Sequence, residues 1–262
     1  IQNNLYGVDL DSFAINIARL RLWLTLAVEY EGYKPEPLPN LDFKIEIGDS
    51  LTAPDPQQGS QQVIVGELAK KLKEKTTIYM RTHHYGEKAT LKKEAEELQK
   101  QIAGWVHAGA AVSGFDWAVQ FPDVFSTGGF DVILANPPYG ITCEDPLRFQ
   151  YFPRIKGEDI QSKDSYGLFI ARGLQLLKSG GILTYIVSDT WRTIKTHKPL
   201  RKRLLENTTL FHILDVPSWI FKATVNTTIL ALRNEPSKND HKIITGDLRG
   251  IPNGEWDMLS EN

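Results

Sequence analysis

The chain predicts an α/β fold interrupted by a helical insertion. Short apolar runs of strand length alternate with amphipathic helical segments. The run Phe130-Asp131-Val132-Ile133-Leu134-Ala135 has the apolar density expected of a strand buried on both faces. Residues from about 54 to 113 break the alternation with charged helical periodicity.

The strand at Phe130–Ala135 ends abruptly in Asn136-Pro137-Pro138-Tyr139. Two prolines cannot continue a central strand, and their fixed φ makes a stiff, extended exit. The Asn136 side chain offers a carbonyl oxygen, and Pro137 keeps its backbone carbonyl while lacking an N–H. An acceptor pair followed by an aromatic ring suits a planar substrate bearing an NH2 group, with the oxygens on the amino hydrogens and the ring on the plane. A surface turn is the plainer alternative for such a tetrapeptide.

The remaining elements follow in order. Leu5 to Leu10 is a short strand, and Asp11-Ser12 supplies N-cap chemistry for a helix that runs to near Gly32. That helix is apolar around much of its circumference, which predicts burial against a sheet. Asp9 stands where the strand ends, a position from which an acidic residue in doubly wound folds accepts from ribose hydroxyls. Phe43 to Ile47 alternates as a second strand, closed by Gly48-Asp49-Ser50-Leu51. Asp49 can accept from an adenine amino group or form an Asx-turn with its own backbone; the local sequence alone favours the turn.

Within the insertion, Gln57 to Gln62 is polar and linker-like, and Glu67–Lys75 and Leu91–Trp105 read as charged helices. The adjacent His83 and His84 have no third ligand nearby in sequence, so no metal site is expected. Gly140 to Lys163 is a long irregular stretch, the kind that serves as a lid or a contact arm. Asp164 or Ser165 caps a helix through Leu177, ended by Gly180-Gly181, and Ile182 to Val187 is a further strand closed by Ser188-Asp189-Thr190-Trp191. Arg192, Lys195, Lys198, Arg201, Lys202 and Arg203 follow with no acid among them, which predicts a phosphate-contacting patch over a merely solvated face. Leu210 to Val216 and Ala223 to Leu232 are two more strands, and the tail from Glu235 onward is polar.

Composition narrows the classes. Over 262 residues, 24% are charged and 41% apolar, an ordinary balance for a chain that buries a core. The net charge of −2 gives no global basic field, so any nucleic-acid contact must come from a local patch. Cys143 is the single cysteine, which excludes an internal disulfide and a multi-cysteine metal site. No apolar run reaches membrane-spanning length and no signal peptide is present, so a cytoplasmic protein is expected. Ile1-Gln2-Asn3-Asn4 leads straight into a strand without an initiating methionine, as in a piece of a longer polypeptide.

Five motifs in order carry a resemblance: Gly7-Val8-Asp9-Leu10-Asp11, Gly48-Asp49-Ser50-Leu51, Phe115-Asp116-Trp117 through Asn136-Pro137-Pro138-Tyr139, the Gly180-Gly181 strand ending in Asp189-Thr190-Trp191, and Val225-Asn226-Thr227-Thr228-Ile229. Together they resemble the catalytic domain of N6-adenine DNA methyltransferases in fused restriction–modification proteins, the Eco57I-like family. The resemblance implies a Rossmann-like sheet dependent on S-adenosylmethionine, truncated at its N-terminus, with core residues 1–53 and 114–234, a helical insertion at 54–113 and a following segment from 235 to 262. It implies that Asp9 binds the cofactor ribose, that Leu10 packs on its adenine, and that Asp49, with Ser50 beside it, accepts from that adenine's amino group. Asn136 and the Pro137 carbonyl would hold the N6 amino group of a flipped-out adenine in double-stranded DNA, Pro138 and Tyr139 completing the motif. Tyr139 would stack on the base and Phe221 would face its other side, with Arg192, Lys195, Lys198 and Arg201 on phosphates. A first strand and a glycine-rich loop, which such enzymes use for the cofactor's methionine part, are absent, so these residues alone are expected to bind the cofactor weakly or not at all. A methyltransferase of protein glutamine or of RNA shares the Asn-Pro-Pro-Tyr motif, and a non-catalytic DNA-binding module on this fold is the third alternative.

Overall fold

The computed structural model describes residues 4–29, 41–53, 55–56, 62–82, 84–106, 115–138, 154–155, 158–159, 164–220 and 226–252. Tyr139, Phe221, Cys143, His83 and Val225 lie outside these. The chain divides into two compact units, Ile1–Thr127 and Gly128–Asn262. This boundary differs from the division into core, insertion and tail expected from the motifs.

In the first unit, β1 (Gly7–Asp9) and β2 (Ile45–Ile47) form a parallel pair, with Asp9 opposite Ile47. Helix α1 (Ser12–Val28) follows β1, and the Asp11 side chain caps it by accepting from the Phe13 N–H at 2.8 Å. Its inner face packs through Ile15, Ala18, Leu22 and Trp23 against Leu41 and Ile45. Burial against the strands, which its apolar residues predict, is confined to this face. Phe13 is 69% and Leu24 55% exposed, and Ile15 is the one fully buried residue of the helix. Two strands of three residues cover only one side of a helix of 17.

The insertion holds α2 (Gln62–Arg81) and α3 (Tyr85–Val106), both longer than their charged periodicity predicts. Leu72, Ala95 and Ile102 share a core with Val119, and Phe43 packs against it. Tyr79 donates to Asp42 at 2.7 Å. The two helices are therefore built into the first unit through residues on either side of the insertion. Two single-turn helices, α4 (Trp117–Gln120) and α5 (Pro122–Phe125), close the unit, with Asp116 accepting from the N–H groups of Ala118 and Val119.

The second unit carries a five-stranded sheet in the order β3-β6-β8-β7-β9. Its strands are β3 (Phe130–Ala135), β6 (Leu177–Ser188), β7 (Thr209–Val216), β8 (Thr227–Arg233) and β9 (Ile244–Asp247). A separate antiparallel pair joins β4 (Arg154–Ile155) to β5 (Glu158–Asp159). The pairs β3–β6 and β7–β9 are parallel, while β8 runs antiparallel to both of its neighbours. Helix α6 (Ser165–Leu176) leads into β6, and α7 (Lys198–Asn207) leads into β7.

Three expectations are corrected here. Strand β3 is an edge strand of this sheet, and Val132 and Leu134 on one of its faces are 52% and 72% exposed. Gly180-Gly181 does not cap a helix but lies within β6 at a register shift against β3. Gly180 takes φ +75°, and a Cβ on Gly181 would stand 3.0 Å from the Phe130 carbonyl oxygen, so glycine is required by both conformation and space. The polar tail contributes β9, which extends the sheet from β7. Among the described residues, no helix is long and apolar enough to cross a membrane.

Helix α6 holds the unit together. Ten of its residues are buried, and Gly173 brings it onto β6 so closely that a Cβ there would meet Leu183 Cδ1 at 2.5 Å. This contact seats the C-terminal half of α6 on β6, while its first residue, Ser165, is bonded to Pro138 just after β3.

Candidate active site

In the first unit, the carboxyl ends of β1 and β2 lie side by side, and the Gly48 N–H donates to the Asp9 carbonyl at 2.9 Å. Asp9 is exposed, and its Oδ1 accepts from the Asp11 N–H at 2.8 Å. Leu10, 67% exposed, presents an aliphatic surface next to it. Asp49 Oδ1 accepts from the N–H groups of Leu51 at 3.0 Å and Thr52 at 3.3 Å, the Asx-turn that its local sequence favours. Ser50 is half-buried, and its carbonyl accepts from Trp117 Nε1 at 3.4 Å. Parallel pairing thus places two carboxylates and an exposed aliphatic residue on adjacent strand ends. Carboxylates accept from hydroxyl and amino groups, and an aliphatic face packs on a purine, so this set fits the nucleoside part of S-adenosylmethionine.

In the second unit, β3 ends at Ala135, opposite Tyr185 of β6. Asn136 follows with an exposed side chain, then Pro137 buried and Pro138 exposed. The Ser165 Oγ donates to the Pro138 carbonyl at 2.5 Å. Next to it, Tyr166 is 2% exposed, and its hydroxyl shares a hydrogen bond with Thr190 Oγ1 at 2.8 Å. Thr190 in turn pairs with Ser188 Oγ at 2.8 Å, at the end of β6. Burial pushes the Tyr166 phenol up to about 12. Its ring stacks on His197 with centroids 5.1 Å apart, and burial holds that imidazole below its ordinary value.

The basic run is not uniformly available to a ligand. Arg192 Nη2 donates to both Asp215 oxygens, at 2.8 and 3.1 Å, and lies 3.5 Å from Asp189 Oδ2. Arg201 Nη1 donates to the carbonyls of Trp191 at 2.8 Å and Ile194 at 2.7 Å, tying α7 to the preceding turns. Lys195 and Lys198 are exposed. Asp215 supplies the carboxylate that the run itself lacks, from the C-terminal end of β7.

Ser165, at the start of α6, turns its hydroxyl toward a residue 27 positions earlier in the chain. Its position at a helix start reads locally as capping, and nothing in the intervening residues signals that its hydroxyl turns toward Pro138.

The chain is similar to known proteins. The Eco57I restriction-modification methylase family matches residues 3–221. A protein of Methanocaldococcus jannaschii described as a type II restriction enzyme and methyltransferase is 27% identical over 93% of this chain and 27% of its own length. The type II restriction enzyme and methyltransferase RM.Eco57I of Escherichia coli is 35% identical over 46% of this chain and 13% of its own. The chain therefore spans about a quarter of the length of the first of these curated relatives and about an eighth of the second. Among solved structures, a nuclease-deletion mutant of the type ISP restriction-modification enzyme LlaGI, with a DNA substrate mimic, shares the fold over 98% of this chain and 19% of that one, at a TM-score of 0.51 and 15% identity. The fold is that of a methyltransferase dependent on S-adenosylmethionine, and the chain belongs to the Eco57I restriction-modification methylase family.

Proposed function

We propose that the protein is a site-specific DNA methyltransferase of a restriction–modification system, acting on the N6 amino group of an adenine flipped out of the duplex. The observation that carries this reading is the exposed Asn136 followed by two prolines at the carboxyl end of β3. When bound, S-adenosylmethionine supplies a methyl group made electrophilic by its sulfonium.

The protein's part is to make a poor nucleophile competent. The lone pair of an adenine amino nitrogen is delocalised into the ring. Asn136 Oδ1 and the Pro137 carbonyl, accepting from the two amino hydrogens, favour a more tetrahedral nitrogen with its lone pair directed outward. On taking the methyl group the nitrogen sheds one of these hydrogens as a proton, passed by way of its acceptor to solvent; positioning and local electrostatics supply most of the rate. Tyr139 and Phe221 would recover part of the stacking lost on flipping. Asp9, Leu10, Asp49 and Ser50 would hold the cofactor's nucleoside. Lys195 and Lys198, both exposed, are the residues of the basic run best suited to phosphates.

The test is transfer of labelled methyl by the full polypeptide to duplex DNA, RNA and protein acceptors. Label in duplex DNA, abolished by Asn136→Ala with DNA binding retained, is expected. Label confined to RNA or protein refutes the DNA assignment, and unchanged transfer by Asn136→Ala refutes the role of the corner.

A further inference from the structure

The corner after β3 has an unusual weakness. Pro137 and Pro138 have no N–H, so the chain cannot tether these two residues through backbone donors of its own. Their carbonyls are the polar groups by which the rest of the protein can hold them. We propose that Ser165 is a positioning residue for methyl transfer, setting the orientation of the Asn136-Pro137-Pro138 corner through its hydrogen bond to the Pro138 carbonyl. This rests on the functional reading above.

Four observations carry it. The bond is short, 2.5 Å, and spans 27 residues of sequence. Ser165 is 2% exposed, so water does not compete for its hydroxyl. Asp164, in the N-cap position of α6, makes no capping bond with its side chain, and the Ser165 hydroxyl is directed to the loop instead of to its own helix. The hydroxyl is itself held on a rigid base. The adjacent Tyr166 is tied through Thr190 to Ser188 at the end of β6, and its ring is stacked on His197. Because β6 is the parallel neighbour of β3, the start of α6 links the exits of two adjacent strands.

The Pro138 carbonyl belongs to the peptide that joins Pro138 to Tyr139. Fixing its plane sets ψ of Pro138. Since φ of both prolines is already restricted, ψ is the main soft torsion remaining at each. Loss of the hydroxyl removes the anchor that ties Pro138 to the start of α6, so the corner as a whole, Asn136 and the Pro137 carbonyl included, can drift from the geometry the amino group needs. Misplacement of an ångström at a reacting centre can cost about a hundredfold in rate. Binding of DNA and cofactor draws on other groups, so affinity is spared.

The experiment is steady-state methylation by the full polypeptide carrying Ser165→Ala, Ser165→Cys or Ser165→Thr, with thermal unfolding of each. For Ser165→Ala the expected result is a fall in kcat of about tenfold or more, with KM for DNA and cofactor essentially unchanged. Ser165→Thr, which restores the hydroxyl, should recover most of the kcat. Ser165→Cys keeps the size and weakens the donor, and should lose kcat to an intermediate degree; it decides the matter where the alanine variant does not fold. A folded alanine or cysteine variant with unchanged kcat overturns the proposal, as does a loss that threonine does not rescue. If the unsubstituted polypeptide methylates RNA or protein instead of DNA, the functional reading fails while this series, run on that acceptor, still decides the role of Ser165. No transfer to any acceptor overturns both.

Discussion

Replacing Arg192 separates a structural cation from a DNA-binding one. Asp215 is 7% exposed and receives Arg192 Nη2 at 2.8 and 3.1 Å. Arg249 lies farther off, at 3.7 Å, and its guanidinium is engaged by Asp247 at 2.6 Å. Arg192→Ala would therefore leave a buried carboxylate with one distant cation. Breaking a fully buried pair costs about 3–5 kcal/mol. Arg192 is itself a third exposed and Arg249 remains, so the expected cost is nearer to about 2 kcal/mol. For a chain of this size that lowers Tm by about 4–8 °C. Urea denaturation should show a lower midpoint with an unchanged m-value. The second assay is the salt dependence of DNA binding by the full polypeptide. Neutralising a phosphate contact reduces the slope of log K against log salt by about 0.9, so Lys195→Ala and Lys198→Ala should each do so while Arg192→Ala leaves the slope alone. An Arg192→Ala protein with unchanged stability and a shallower slope would refute the reasoning, because the guanidinium would then be serving DNA and not Asp215.

Other outcomes follow from the same geometry. Gly129 has φ +119°, and a Cβ there would stand 2.5 Å from the Leu176 carbonyl oxygen, so Gly129→Ala should cost about 2–4 kcal/mol in urea denaturation; a loss under about 0.5 kcal/mol contradicts this. Tyr166 is raised to about 12 and Tyr6 is raised by burial and the Asp123 carboxylate, so both keep their protons in the folded state after free tyrosine has lost its own. The contribution of Tyr166 is full below about pH 10 and is lost as pH rises toward 12, and that of Tyr6 is lost only at higher pH still; absorbance titration at alkaline pH should show ionisation coincident with unfolding. His197 is depressed by burial, so the stability tied to its neutral form is present above about pH 6.5 and falls as pH drops through the folded value, which denaturation at acidic pH should register and His197→Phe should blunt.

What the sequence made legible was local. The end of β3 at Asn136 is marked by an apolar run meeting two prolines, and the Asp11 cap by its residue type and position. Asp49 was readable in both its senses, and the Asx-turn is one of them. The misread features depend on residues distant in sequence. Gly180-Gly181 carries the local signature of a helix end, but pairing of β6 with β3 and β8 draws the glycines into the strand, where Asn234 exchanges backbone bonds with both at 3.1 and 2.8 Å. The partner of Arg192 is 23 residues away on β7, so a run without acids looked free of carboxylates. Strand β9 escapes notice because it is polar and short, with Ile244 59% exposed at the sheet edge. Apolar density likewise overstated the burial of α1 and β3, since composition reports what a segment can bury and not which neighbours cover it.

The central claim is that an exocyclic amine of adenine meets the Asn136 corner. Nucleoside analysis of duplex DNA methylated by the full polypeptide tests it most directly. The account predicts that the label is recovered as N6-methyladenine and disappears with Asn136→Ala. Recovery of the label in cytosine, in RNA or in a protein side chain, or as N6-methyladenine at an undiminished rate from the Asn136→Ala protein, would contradict it.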